Sequence, residues 1–436
     1  MKRKIAILAT LVLAVAQVLA GCGSGSAASS SGSQPSAASS KADDKNLSGT
    51  VTMWSTVEEP GHFLEGFNKL YPNIKVDITT IRNEEFLSKL MPALSAGQDV
   101  PDIFTGESTY IKYLVNTPYW DDLRNEPYNI KQYTENMWDY VVSVGTDSQG
   151  AIKALSYQVA PGSILYRRDM ARATFGTDDP KEISGLLSTS EKMMDAAKKL
   201  KGKGYKMYAS WLDLLNMQYS NRKSPWVVDG KLVIDPLMLN FMETAKTIAS
   251  NGYALNTTPW APEWVAAVEG NDVFCYVLPS WGYEYVIRPN AKKTAGQWGI
   301  AEGPVPYVSG GTWLGIYKDS PNKEQAWKFL EYVTCNADAQ TKYAKDYGEF
   351  VSLKSVDEEM AKGAGEKVLA GQNPYAFYAD QMKKLPGDYM TPYDQQINAA
   401  YQTAVTAYVN GKLDKDAALK QFKADVLNAV PELTVD

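Results

Sequence analysis

The chain has 436 residues, 44 Lys and Arg against 50 Asp and Glu, a net charge of -6, and 44% hydrophobic residues. That balance excludes a wholly disordered chain and a basic nucleic-acid binder, and a single long apolar run excludes a polytopic membrane protein. One histidine, His62, and three cysteines leave no material for a His-rich metal centre or a disulfide framework.

In chain order, Lys2, Arg3 and Lys4 precede an apolar run from Ile5 to Ala20, broken only by Thr10 and Gln17. A charged head before a short apolar stretch predicts a secretory leader over residues 1–21, not a stable membrane span. Leu19-Ala20-Gly21-Cys22 resembles the lipobox of bacterial lipoproteins, which implies lipidation of Cys22 after cleavage. The alternative is a chance cysteine behind an ordinary leader. Residues 22–46 are expected to be a flexible tether, because 23–40 contain no large apolar residue to offset chain entropy.

Residues 49–55 read as a short buried strand. Phe63, Phe67 and Leu70 share one face of a helix predicted over 60–71, with Pro60 in its first turn. Ile74, Val76 and Ile78 alternate with Lys75, Asp77 and Thr79, the period of a strand. Asn83 is placed to cap a helix carrying Phe86, Leu90 and Leu94, with Gly97 ending it. After the apolar run at 100–104 the order is β-α-β-α-β, which predicts a mostly parallel sheet with ligands beyond its carboxyl ends. Two strand-like stretches within 151–168 flank Ala160-Pro161-Gly162. Ser188-x-x-Glu191 predicts a capping box opening a helix to Lys201. Asp235-Pro236 opens another, closed at Gly252, and Ser320-Pro321 starts one with Ala326, Leu330 and Val333 on one face. Helices over 393–410 and 414–430 complete the C-terminal part.

Candidate site residues gather at strand ends. Trp54 ends the first strand, and Glu58 and Glu59 follow; carboxylates accept hydrogen bonds from hydroxyls and a Trp face stacks on a sugar ring. The plainer alternative is that the two carboxylates favour a helix N-terminus. Glu107 and Tyr110 hold the matching place after the third strand, with a solvated loop as the alternative. Trp260, Trp264, Trp281, Tyr283 and Tyr285 surround the run Val273–Leu278, and Trp281 lies just past its end; core packing is the alternative. Gly310-Gly311-Thr312-Trp313 permits close backbone approach to a ligand, or a bend where strands cross. Tyr347-Gly348-Glu349 and the segment from Tyr389 to Gln395 are further polar and aromatic groups. No nucleophile–base set, P-loop or dinucleotide fingerprint occurs, and the lone His62-x-x-Glu65 is no metal motif. No cofactor or metal is therefore expected. Cys275 and Cys335 read as buried thiols.

With these residues in place the chain resembles the family 1 extracellular solute-binding lipoproteins of ABC sugar importers, the maltose-binding-protein-like class. The resemblance rests on VTMWSTVEEPGHFLEGFNKLYPNIKVDI (51–78), MPALSAGQDVPDIF (91–104), ILYRRDM (164–170), WVAAVEGNDVFCYVLPSWG (264–282) and GGTWLGIYKDSPNKEQAWKFLEYV (310–333), in that order. It implies an α/β, two-lobe periplasmic-binding-protein-like fold of type II, with mixed, mostly parallel sheets flanked by helices and a hinge between the lobes. Lobe one would hold 47–160 plus 279–316, lobe two 161–278 plus 317–436, with crossings near 158–163, 278–281 and 314–320. The implied ligand set is Trp54, Glu58, Glu59, Glu107, Tyr110, Gln158, Trp260, Trp281, Gly311, Trp313, Tyr393 and Asp394. Two departures stand out: no carboxylate occurs in 158–163, where Gln158 is the polar group, and DDPKEISGLLSTS (178–190) replaces the family's Pro-x-Thr-Trp helix entry. The implied protein is a non-catalytic monomer. It would be held by Cys22 on the extracellular face of a bacterial cell membrane, and would capture a carbohydrate, expected to be an oligosaccharide, between its lobes and deliver it to ABC permease subunits without binding nucleic acid. Another polar solute, a surface glycoside hydrolase using two carboxylates, and an adhesive lipoprotein are the alternative readings.

Overall fold

Alternation builds the first sheet. In β1 (Gly49–Ser55) Val51, Met53 and Ser55 are buried, while Thr52 is exposed and Trp54 half-buried. A 3-10 turn at Glu59–Phe63 leads into α1 (Leu64–Leu70). This shifts the helical phase, so Phe63 and Phe67 are buried but Leu70 is 49% exposed, unlike the expected three-residue face. β2 (Ile74–Thr80) runs parallel to β1. α2 (Asn83–Ala96) begins at Asn83, with Arg82 in the capping position and no side-chain cap, and ends at Gly97 with φ 63°. Its buried Phe86, Leu90 and Leu94 cover the outer face of β3 (Ile103–Glu107), which also pairs parallel to β1. The structure, a computed structural model, describes residues 46–385 and 390–435. The predicted leader, lipidated Cys22, nearly all of the predicted tether and Tyr389 lie outside the described residues.

Next in the chain come β4 (Leu155–Ser156), β5 (Gly162–Arg167), α3 (Ser190–Gly202), β6 (Lys206–Tyr208), α4 (Pro236–Ser250) and β7 (Val273–Pro279). After β8 (Trp298–Ala301) and β9 (Thr312–Ile316) the chain is helical: α5 (Lys323–Cys335), α6 (Ala337–Tyr347), α7 (Pro374–Met382), α8 (Asp394–Val409) and α9 (Lys415–Ala429). Thr189 caps α3, one residue past the expected Ser188. Ser320 does not cap α5; its hydroxyl donates to Asp102 at 2.6 Å, and Asp102 also accepts from Thr52 N and Oγ1, so this carboxylate pins β1 to the entry of α5.

One sheet has the order β2-β1-β3-β9-β4 and the other β8-β5-β7-β6. Parallel pairing is confined to β1–β2, β1–β3 and β6–β7; the other pairings in these two sheets are antiparallel, so both are mixed. The expected lobe boundaries need correction. β8 pairs with β5, which places 298–301 in the second sheet rather than with lobe one. α5 packs on β9 and β1, which places 323–335 with the first sheet rather than with lobe two. The return crossing therefore lies between β8 and β9, upstream of the expected 314–320.

Those crossing segments knit together. Gly162 N donates to Tyr307 O at 2.7 Å, Ser309 N to Ala160 O at 3.0 Å, and Ser280 N to Pro161 O at 2.9 Å. Val159 N reaches Phe350 O at 3.2 Å. A side chain at Gly162 would place its Cβ 2.1 Å from the Tyr307 ring, so glycine is what lets the strands touch. One contiguous hydrophobic core runs under both sheets, joining Val51 and Met53 to Tyr276 and Trp298; separate cores cover the outer face of each. Among the described residues no helix is long and apolar enough to cross a membrane.

Candidate functional site

Glu107 is the last residue of β3, opposite Thr312 at the start of β9. Its carboxylate accepts from the Thr312 hydroxyl at 3.0 Å and from the Thr56 hydroxyl. Burial pushes Glu107 up to about 7, against the pull of both hydroxyls, and the charge of Glu59 pushes the same way. Glu349 enters from α6. Gly348, at φ 75°, ends that helix in the left-handed conformation, and its missing Cβ leaves room for the Glu284 carboxylate, which would otherwise lie 2.3 Å away. Glu349 is buried and accepts from the Tyr285 hydroxyl at 2.6 Å; burial, with Glu59 adding to it, raises it to about 7. Tyr157, fully buried, stands in the field of Glu59, Glu107 and Glu349. The hydroxyl of Tyr343 has no hydrogen-bond partner. His62 stacks on Tyr347 beside them, ring centroids 3.9 Å apart.

Aromatic rings stand next to this carboxylate group. Trp281 donates its Nε1 to Ser309 O at 2.9 Å, on the returning crossing segment, and Tyr285 lies one helical turn further on. Trp260 stacks on Trp281 with centroids 5.7 Å apart and planes 19° off parallel. Trp260 is 58% exposed and holds φ 69°, a left-handed conformation that a bulky side chain adopts only under constraint. Trp264 is core instead, buried with its Nε1 on Asp213.

On the same crossing segment a cavity of about 110 Å³ opens between the two halves. Ser108, Thr109 and Tyr140 line it from one side, and Asn216, Arg222, Asp394 and Asn398 from the other. Arg222 and Asp394 form a buried ion pair at 2.7 Å, and the guanidinium lies 4.8 Å from the Trp226 ring centroid. Burial raises Asp394 above the usual carboxylate range, while Arg222 and Thr391 pull it back.

The predicted residues divide by place. Glu59, Glu107, Trp281 and Gly311 meet where the crossing segments run, with Glu58 exposed beside them and Trp260 stacked on Trp281. Gln158 is there through its backbone, which bridges to Val351. Asp394 belongs to the 110 Å³ cavity, and Tyr393 is half-buried against the outer core of the second sheet. Tyr110 and Trp313 are buried in the outer core of the first sheet. Tyr110 packs on Phe86, and Trp313 donates its Nε1 to Val141 O at 2.9 Å. Trp54 lines a separate groove with Arg82 and Lys89, against α2. The expected ligand set lacked Tyr157, Tyr285, Glu349, Arg222 and Asn398. Glu349 had a signal in Tyr347-Gly348-Glu349 and Tyr285 in the aromatic run; Tyr157, Arg222 and Asn398 had none. Cys275 and Cys335 are both free thiols, and among the described residues no group of His, Cys, Asp and Glu could hold a metal.

Solved structures share this fold. An extracellular solute-binding protein of family 1 superposes with a TM-score of 0.77 at 20% identity, covering 87% of this chain and 99% of that one. The galacto-N-biose/lacto-N-biose I-binding protein of an ABC transporter from Bifidobacterium longum, in complex with lacto-N-biose, gives 0.71 at 15%, covering 89% and 99%. The sugar-binding protein MalE from Xanthomonas citri gives 0.68 at 17%, covering 87% and 98%. These likenesses identify a two-lobe binding-protein fold. A model of bacterial extracellular solute-binding proteins matches residues 63–368, well over half the sequence. On that match the chain belongs to the bacterial extracellular solute-binding protein family.

Proposed function

We propose that the chain captures a carbohydrate between its lobes and delivers it to ABC permease subunits, working as a monomer on the outer face of the membrane with its Cys22 lipid as anchor. The observation that carries this reading is that Glu107 and Glu349, buried and hydrogen-bonded to the Thr312 and Tyr285 hydroxyls, lie in the field of Glu59, while Trp281, with Trp260 stacked on it, is held to the returning crossing segment through Ser309. Carboxylates accept from hydroxyls, and ring faces cover the apolar side of a pyranose. The similar Bifidobacterium and Xanthomonas proteins are a disaccharide-binding and a sugar-binding protein, which supports a sugar over another polar solute. Binding without turnover is the expected behaviour.

A thermal-shift screen of the mature chain against mono- and oligosaccharides, polyols, amino acids and polyamines tests it. A ligand at 100 times its dissociation constant adds about 2.7 kcal/mol of stability and raises the midpoint. A response confined to one glycan series supports the reading. Steady release of a smaller sugar from that glycan would replace it with a hydrolase, and a response to amino acids or polyamines alone would replace the cargo.

A further inference from the structure

The wall of the 110 Å³ cavity is built to donate hydrogen bonds. Arg222 lines it, is 3% exposed, and commits two of its three nitrogens to the protein: Nε donates to Tyr219 O at 2.9 Å and Nη2 to Asp394 Oδ2 at 2.7 Å. Its Nη1 is buried and has no hydrogen-bond partner. A guanidinium nitrogen held in that way is costly, and a ligand that completes it on binding removes the penalty. Asp394 cannot complete it, because both its oxygens are occupied: Oδ2 by Arg222, and Oδ1 by the Thr391 backbone N–H and hydroxyl at 2.9 and 2.6 Å. Asn398 lines the cavity one turn along α8, and its Oδ1 accepts from Trp226 Nε1 at 2.7 Å. An indole N–H only donates, so the amide must turn its oxygen there and keep its two N–H hydrogens for another partner. The charge of Asp394 is answered by Arg222, by Thr391 and by the N-terminal end of the 16-residue α8, which leaves part of the guanidinium charge for a second anion. A sugar hydroxyl would bring a hydrogen of its own to these donors. A carboxylate brings only acceptors, and its charge strengthens the bond to a guanidinium. About 110 Å³ falls short of the roughly 300–1,000 Å³ that takes a whole small molecule, and suits one substituent of a larger ligand. Ser309, whose carbonyl holds Trp281, lines the same cavity, so a ring on the Trp281 face would have its substituent within reach of it.

We propose that the cargo is a sugar acid, with the carboxylate of a uronic-acid unit set in this cavity against Arg222 Nη1 and the Asn398 amide. This rests on the carbohydrate reading above and names the class of sugar. The test is calorimetric titration of the native chain with matched triples in the gluco, galacto and manno series. Each triple consists of the hexuronate, the neutral hexose and the hexose 6-phosphate. The α-1,4-linked galacturonate and β-1,4-linked mannuronate dimers, neutral maltose and cellobiose, and diacetylchitobiose extend the panel. Citrate serves as a non-sugar carboxylate.

The expected result is binding of the uronate member about tenfold tighter, or more, in whichever series binds. Asn398→Asp keeps an acceptor for Trp226 Nε1 but replaces the amide donor with a negative charge, and Arg222→Lys keeps a cation for Asp394 but lacks Nη1. Each, checked for unchanged circular dichroism, should abolish the preference. A uronate preference that survives both variants overturns this site. Equal or tighter binding of a neutral or N-acetyl sugar overturns the carboxylate and leaves the carbohydrate reading standing. Tighter binding of the phosphate member overturns the sugar acid in favour of a sugar phosphate. Binding of citrate alone, or of nothing in the panel, overturns both.

Discussion

Glu107 shows what closing off a carboxylate does to the protein that holds it. Its ordinary value of 4.5 is raised to about 7 by burial. Between those values the native state keeps a proton that the unfolded chain has lost. The stability that Glu107 contributes is therefore complete below about 4.5 and declines as pH rises toward 7. Glu349 behaves in the same way. The ligand-free protein should accordingly lose stability between pH 5 and pH 7.5, and Glu107→Gln, which cannot titrate, should lose less over that interval. Urea unfolding midpoints at the two pH values measure this, and equal losses in both proteins would show that Glu107 ionises freely in the fold. Glu107 was legible as a carboxylate following an apolar run. Tyr157 was not: a tyrosine in a buried stretch looks the same whether its hydroxyl faces packing alone or carboxylates, and the carboxylates that act on it lie 50 to 192 positions away in the chain. Trp313 shows the converse, since a tryptophan after two glycines suggests a ligand platform and is in fact core.

At the level of elements, long periodic segments were readable and short connections were not. β1, β2, α2, α4, α8 and α9 lie close to where period and caps place them. β8 has four residues, all buried, and so shows no alternation from which to assign it. Missing it displaced the return crossing and both lobe boundaries. The glycines of that crossing were legible, and the structure supplies the reason for them. Gly310 holds φ 120°, and a Cβ there would lie 2.9 Å from Trp281 Nε1 and 3.2 Å from Ala160 Cβ. Gly310→Ala should destabilise the protein by about 1–3 kcal/mol through this strain. Gly185→Ala, where nothing lies within 4 Å and φ is ordinary, should be neutral or stabilising. Denaturant titration of both variants decides; a harmless Gly310→Ala would mean that the crossing yields more easily than its geometry implies.

Taken whole, the molecule combines two sheets with an interior that does not respect their division. Val51 and Met53 of the first sheet share one hydrophobic core with Tyr276 and Trp298 of the second. Each sheet has an outer core of its own, but neither can lose its share of this common core while the other keeps it, so the two halves should not come apart separately on heating. Differential scanning calorimetry should show a single endotherm with equal calorimetric and van't Hoff enthalpies, whereas two resolved endotherms would mean that the lobes melt independently. A protein exposed outside the cell gains a particular protection from such coupling. A protease finds few half-unfolded forms to cut, and its access is set by the rare opening of the entire fold.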